Sequence, residues 1–61
     1  MLCKKLTFKE EGSNLPTIIL GIVVSEDSRF VVFKTAKHEY TINKICIISM
    51  RETNIEFKEA L

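Results

Sequence analysis

Few side chains in this sequence are equipped for chemistry, and their spacing narrows the choice further. His38 is the single histidine, and Cys3 and Cys46 stand far apart with no CxxC partner. A structural zinc site takes four such ligands at short spacings, so no metal centre is expected. Cys46 sits in the apolar run Ile45-Cys46-Ile47-Ile48, surroundings that disfavour the thiolate a nucleophile needs. The chain has no GxGxxG, no phosphate-binding P-loop and no HExxH. One histidine and no carboxylate pair beside it leave little for acid–base work. The expectation is a binding domain, not an enzyme, with no cofactor.

The remaining polar residues fall into short groups. Asp27, Ser28 and Arg29 form a polar cluster closed by the aromatic Phe30, and Asn43-Lys44 interrupts two apolar stretches. Lys34, Lys37 and His38 form a second cationic group. The net charge is only +1, which argues against a simple electrostatic coat for DNA. Residues 34–44 nonetheless carry Lys34, Lys37 and Lys44 against Glu39, a local excess of +2, whereas residues 45–61 carry Arg51 and Lys58 against three glutamates, −1. A basic patch is therefore expected on a protein that is not itself basic.

Strands must position these residues. Lys5-Leu6-Thr7-Phe8-Lys9 alternates polar and apolar, the period of a half-buried strand. Gly12, Ser13, Asn14 and Pro16 mark a loop over 10–16. Thr17 to Ser25 is rich in β-branched residues and apolar on both faces, which predicts a central strand covered on both sides. Gly21 in its middle predicts a bend or a close backbone approach. After the turn at 25–29, strands are predicted over Phe30–Thr35, Glu39–Ile42 and Ile45–Met50, with a hairpin tip at Ala36-Lys37-His38. Thr53-Asn54-Ile55-Glu56 has the form of a capping box, and Phe57, Ala60 and Leu61 share one helical face, so a short C-terminal helix is expected, with an extension of strand through Ile55 and Phe57 as the alternative. The 61 residues make a single domain, 1–61, of small, mainly β character.

Gly21 to Val32 together with Ile42-Asn43-Lys44-Ile45-Cys46-Ile47 resembles the Sm-like family, and its bacterial Hfq branch in particular. A glycine-centred strand leads to an aspartate turn and an apolar strand, and a short apolar–polar–polar segment follows. The likeness covers about residues 17–50. Asn43-Lys44 stands where Sm proteins carry Arg-Gly and Hfq proteins Lys-His, and Glu26 stands where Hfq chains place an aromatic residue. The family's N-terminal helix has no counterpart in residues 1–4. The resemblance implies a five-stranded SH3-like or Sm-like barrel and a ring in which the fifth strand of one subunit adds to the fourth of its neighbour. It also implies single-stranded RNA bound at Asp27, Ser28, Arg29, Phe30, Asn43 and Lys44, with phosphate contacts from Lys34, Lys37 and His38.

Size supports self-association on other grounds. A domain this short buries only about 60% of its unfolded surface and usually leans on disulfides, a metal or a partner. No apolar leader or membrane-length run is expected from Met1-Leu2-Cys3-Lys4-Lys5 or from Ile18–Val24, so a cytoplasmic homo-oligomer with two free thiols is expected. Cys3 is placed beside a frayed terminus. The competing expectation is a small protein–protein interaction module, a regulator or inhibitor of another protein that binds no nucleic acid.

Overall fold

Alternation of apolar and polar residues builds one antiparallel sheet. The computed structural model describes residues 1–59, and over them β1 (Leu2–Phe8), β2 (Thr17–Glu26), β3 (Phe30–Lys34), β4 (Glu39–Asn43) and β5 (Ile47–Glu56) follow in order, with one 3-10 turn at Lys44–Cys46 between β4 and β5. The order across the sheet is β4-β3-β2-β1-β5. Four strands thus form a meander, and the 3-10 turn carries the chain from one edge strand to the opposite edge, where β5 pairs with β1.

Strand β2 belongs to both halves of this sheet. Thr17–Gly21 pairs with β1, and from Ile22 onward the strand pairs with β3. The changeover falls at Gly21. A Cβ built there would lie 2.0 Å from the Lys34 carbonyl oxygen and 3.0 Å from Cε2 of Phe33, so only glycine lets β3 approach this closely. A register shift between Val23 and Ser25 adds a bulge, which sharpens the local twist. Of the bend or close backbone approach expected at Gly21, the structure shows the close approach, and the backbone that comes near is that of β3.

Curling brings one face of every strand into a single core of Leu6, Phe8, Val31, Phe33 and Ile42, with Ile19, Val23, Tyr40, Cys46, Ile47 and Met50 packed around it. Cross-strand rows account for the pattern. Met50, Leu6 and Ile19 are register partners across β5, β1 and β2, and Val23, Phe33 and Tyr40 are partners across β2, β3 and β4.

Five expectations change. No ladder joins β4 to β5, so within one chain the sheet is not closed into a barrel. Residues 45–46 belong to the 3-10 turn, because the Asn43 side chain accepts from the Ile45 N–H at 3.1 Å and caps it. Strand β2 is not covered on both faces: Ile18, Leu20 and Val24 are exposed, since a single sheet has one core side only. The capping box over 53–56 is strand. Thr53 Oγ1 donates to the Cys3 carbonyl at 2.7 Å and accepts from Ile55 N–H, and Glu56 pairs with the terminal ammonium of Met1. The N-terminal residues supply a ladder that a short isolated helix lacks. Ala60 and Leu61, part of the expected helical face, lie outside the described residues. Cys3 accordingly sits buried in β1, held by β5, and is a free thiol like Cys46.

Candidate functional site

The turn between β2 and β3 is built by one carboxylate. Asp27 Oδ1 accepts from the backbone N–H of Arg29 and of Phe30, both at 2.7 Å, and the Asp27 N–H donates to the Phe30 carbonyl at 2.9 Å. Those two N–H donors favour the charged form and hold the Asp27 carboxyl below the usual carboxylate range. Aspartate suits this place because its short side chain reaches its own backbone two and three residues on.

The second segment meets this turn directly. Phe30 and Asn43 are register partners across β3 and β4, and the Lys44 N–H donates to the Arg29 carbonyl at 2.8 Å. The Lys44 ammonium pairs with Glu26 at 2.8 Å. The hydrogen bond from Lys44, and then its charge, lower the Glu26 carboxyl from its ordinary value. All six residues Asp27, Ser28, Arg29, Phe30, Asn43 and Lys44 therefore gather at one end of the β3–β4 hairpin, although the two segments are far apart in sequence.

Their roles differ. Asp27 is committed to the turn and acts as a positioning residue. Asn43 spends its Oδ1 on the 3-10 turn, which leaves its amide N–H groups as donors. Arg29 meets no carboxylate among the described residues, and Phe30 is 38% exposed, an aromatic face half open to solvent. Lys44 is tied to Glu26 through an exposed ion pair of the kind that is easily exchanged for another anion. The assembled surface offers one free guanidinium, one exchangeable ammonium, amide and hydroxyl donors and an aromatic ring.

Lys34, Lys37 and His38 are not part of it. They lie at the opposite end of the hairpin, about 13 Å along β3 at a strand rise of roughly 3.3 Å per residue. Thr35 organises that tip, with its hydroxyl donating to the His38 carbonyl and accepting from the His38 N–H, both at 3.1 Å. His38 stands edge-on to Tyr40, with ring centroids 6.2 Å apart. Lys34 pairs with Glu59, whose hydrogen bond and charge raise the lysine above its ordinary value.

Two features at the first end escape inspection of the sequence. Glu26 pairs with Lys44, a contact set by the return of the chain after β4. Ile45 in the 3-10 turn and Ile48 just past it are 89% and 60% exposed, and they line a mainly apolar depression with Lys9, Glu11, Cys46 and Ile47. The signal for that patch was the run of four apolar residues at 45–48, longer than one buried face requires.

Among the described residues no group of three or more His, Cys, Asp or Glu side chains is placed to hold a metal ion. No described helix is long and apolar enough to cross a membrane. No family model, curated protein or solved structure matches the chain, so the five-stranded antiparallel sheet and the geometry of its turns are what a functional reading has to stand on.

Proposed function

We propose that this chain is a non-enzymatic, Sm-like, single-stranded RNA-binding domain that acts as a homo-oligomer and completes its SH3-like barrel with a strand from a neighbour. The observation that carries the reading is the junction of the two motif segments, fastened by the Lys44 N–H to the Arg29 carbonyl at 2.8 Å. It puts an aromatic ring, amide donors and cations on one small surface, the set that single-stranded RNA needs for stacking, edge recognition and phosphate contact. Phe30 stacks a base, Asn43 donates to a base edge, Ser28 and Arg29 meet phosphate or ribose, and Lys44 exchanges Glu26 for phosphate. Lys34, Lys37 and His38 reach only a strand that runs the length of the hairpin.

The sheet order supports the oligomer. Strands β4 and β5 are the two free edges, the pair that the resemblance joins between subunits. Exposed Ile45 and Ile48 flank the start of β5, where such a neighbour would cover them. A cytoplasmic RNA regulator is the corresponding setting.

Native mass spectrometry and fluorescence anisotropy with short oligouridylate and oligoadenylate test the reading. A ring mass together with salt-dependent binding supports it, and Arg29→Ala and Phe30→Ala weaken that binding. A monomer that ignores both oligonucleotides at low salt refutes it. The Ile45–Ile48 patch favours a second reading, a protein-interaction module, for which binding partners survive nuclease treatment.

A further inference from the structure

The outer face of the sheet carries a second concentration of donors, separate from the turn end. Lys5 of β1 stands directly opposite Arg51 of β5, and Thr7 stands opposite Ser49 in the adjacent row of the same face. The rows continue onto β2, where Lys5 faces Leu20 and Thr7 faces Ile18. Lys5, Thr7, Ile18, Ser49 and Arg51 line one shallow depression of about 170 Å³.

This arrangement is unfavourable for the fold alone. Like charges directly opposed across a ladder destabilise it. Nearby Lys4, by contrast, has Glu52 at 3.6 Å. Among the described residues neither Lys5 nor Arg51 has a carboxylate within ion-pair distance, and neither the Thr7 nor the Ser49 hydroxyl has a hydrogen-bond partner. Two unneutralised cations and two idle hydroxyls on adjacent rows of one sheet face are donors of the kind a tetrahedral anion takes. The guanidinium presents a planar fork of donors to phosphate and the ammonium a point charge.

We infer that Lys5, Arg51, Thr7 and Ser49 form a phosphate site on the outer face of β1 and β5, and that it holds a backbone phosphodiester of the single-stranded RNA assigned above. The inference rests on that reading for its ligand and not for its chemistry. Exposed Ile18 and Leu20 give the site an apolar margin on β2. Affinity here is independent of base identity, because no aromatic or amide side chain lines the depression.

Two titrations followed by amide chemical shifts separate the possibilities, one with inorganic pyrophosphate and one with a short oligouridylate. The site predicts shifts at residues 5, 7, 49 and 51 with pyrophosphate alone. In RNA binding, the folded double variant Lys5→Ala/Arg51→Ala loses about 0.7 from the slope of log affinity against log salt, the value for the one single-strand phosphate the site holds. Arg51→Lys keeps the charge and retains most of the slope. A double variant that melts like the parent and binds RNA with an unchanged slope overturns the site and leaves the RNA reading standing. If the parent protein binds no RNA, that reading falls, and pyrophosphate decides the site: shifts at the four residues uphold it as a phosphate site, and their absence overturns it.

Discussion

Gly21→Ala is the sharpest probe of how this sheet is assembled. Glycine costs a strand interior roughly 0.5–1 kcal/mol relative to alanine, so the substitution would stabilise an ordinary strand. Here the added Cβ meets the Lys34 carbonyl oxygen at 2.0 Å and the carbonyl carbon at 2.7 Å, and ordinary contact begins near 3.4 Å. Backbone of β3 must therefore retreat by about 1.4 Å, and Phe33, fully buried, moves with it. A shift of that size breaks the pairing of Ile22 with Lys34 and opens the core around Phe33. The cost is comparable to deleting a buried aromatic ring, about 3–5 kcal/mol. At roughly 0.05–0.15 kcal/mol per residue, a 61-residue chain has about 3–9 kcal/mol in total. Gly21→Ala is expected to melt far below the parent or not to fold, as read by urea titration with circular dichroism and by loss of amide-exchange protection in β2 and β3. An alanine variant as stable as the parent would refute the close approach of β3 to β2 and with it the curled sheet.

Other substitutions probe single contacts. Asp27→Ala loosens the turn, whereas Asp27→Asn keeps the acceptor and loses the charge. The folded carboxyl is lowered, so its contribution is present above the unfolded value near 4 and fades as pH falls through the folded one. The stability gap between parent and Asp27→Asn should therefore close in acid, and a gap constant from pH 7 to pH 2 would contradict the two N–H contacts. Lys34 has the opposite sign: raised by Glu59, it stabilises at neutral pH and loses that effect as pH rises through its folded value, so Glu59→Gln flattens the alkaline limb of a melting profile. Thr53→Val removes the hydrogen bond to the Cys3 carbonyl and costs about 1 kcal/mol in urea titration, and an unchanged midpoint would contradict that contact. If the proposed homo-oligomer forms, Ile48→Glu should dissolve it on size exclusion, while Ile55→Glu, at a comparably apolar and exposed position of the same strand, should leave it intact.

Strand character was legible wherever period or β-branching was strong. Leu6 and Phe8 in β1 and the β-branched run of β2 were readable because each is a local property of the chain. Asp27 was equally readable as a turn residue, since its partners are its own next neighbours. The C-terminal segment was not. Thr53 and Glu56 have the spacing of a capping box, but their partners are Cys3 and Met1 at the other end of the chain. Local signals rank helix and strand by propensity, and a free ladder on β1 outweighs a cap on a helix of two turns. For the same reason the sequence led to a frayed terminus at Cys3 and missed the ion pair of Lys44 with Glu26. The opposition of Lys5 and Arg51 depends on the register between β1 and β5, a long-range quantity that two register shifts make invisible to counting.

The two edges of the sheet are protected unequally, and this bears on how copies of the chain would meet. From Arg51 to Glu56, β5 carries Arg51, Glu52 and Glu56, the charged side chains that keep an open edge from pairing with strangers. From Ile47 to Met50 it carries no charge at all. Strand β4, the other edge, is only five residues long, Glu39–Asn43, and matches the uncharged part of β5 rather than its whole ten. An added β4 therefore fits at the start of β5, next to the exposed Ile45 and the 3-10 turn, and leaves Ile55 in solvent. The same turn is fastened through Lys44 to the Arg29 carbonyl, so a neighbour docked on Ile45–Met50 would rest against the element that holds the binding turn in place. Assembly and ligand binding would then be coupled through residues 43–46, which is why the proposed site is best measured in the oligomer and not in a dissociated variant.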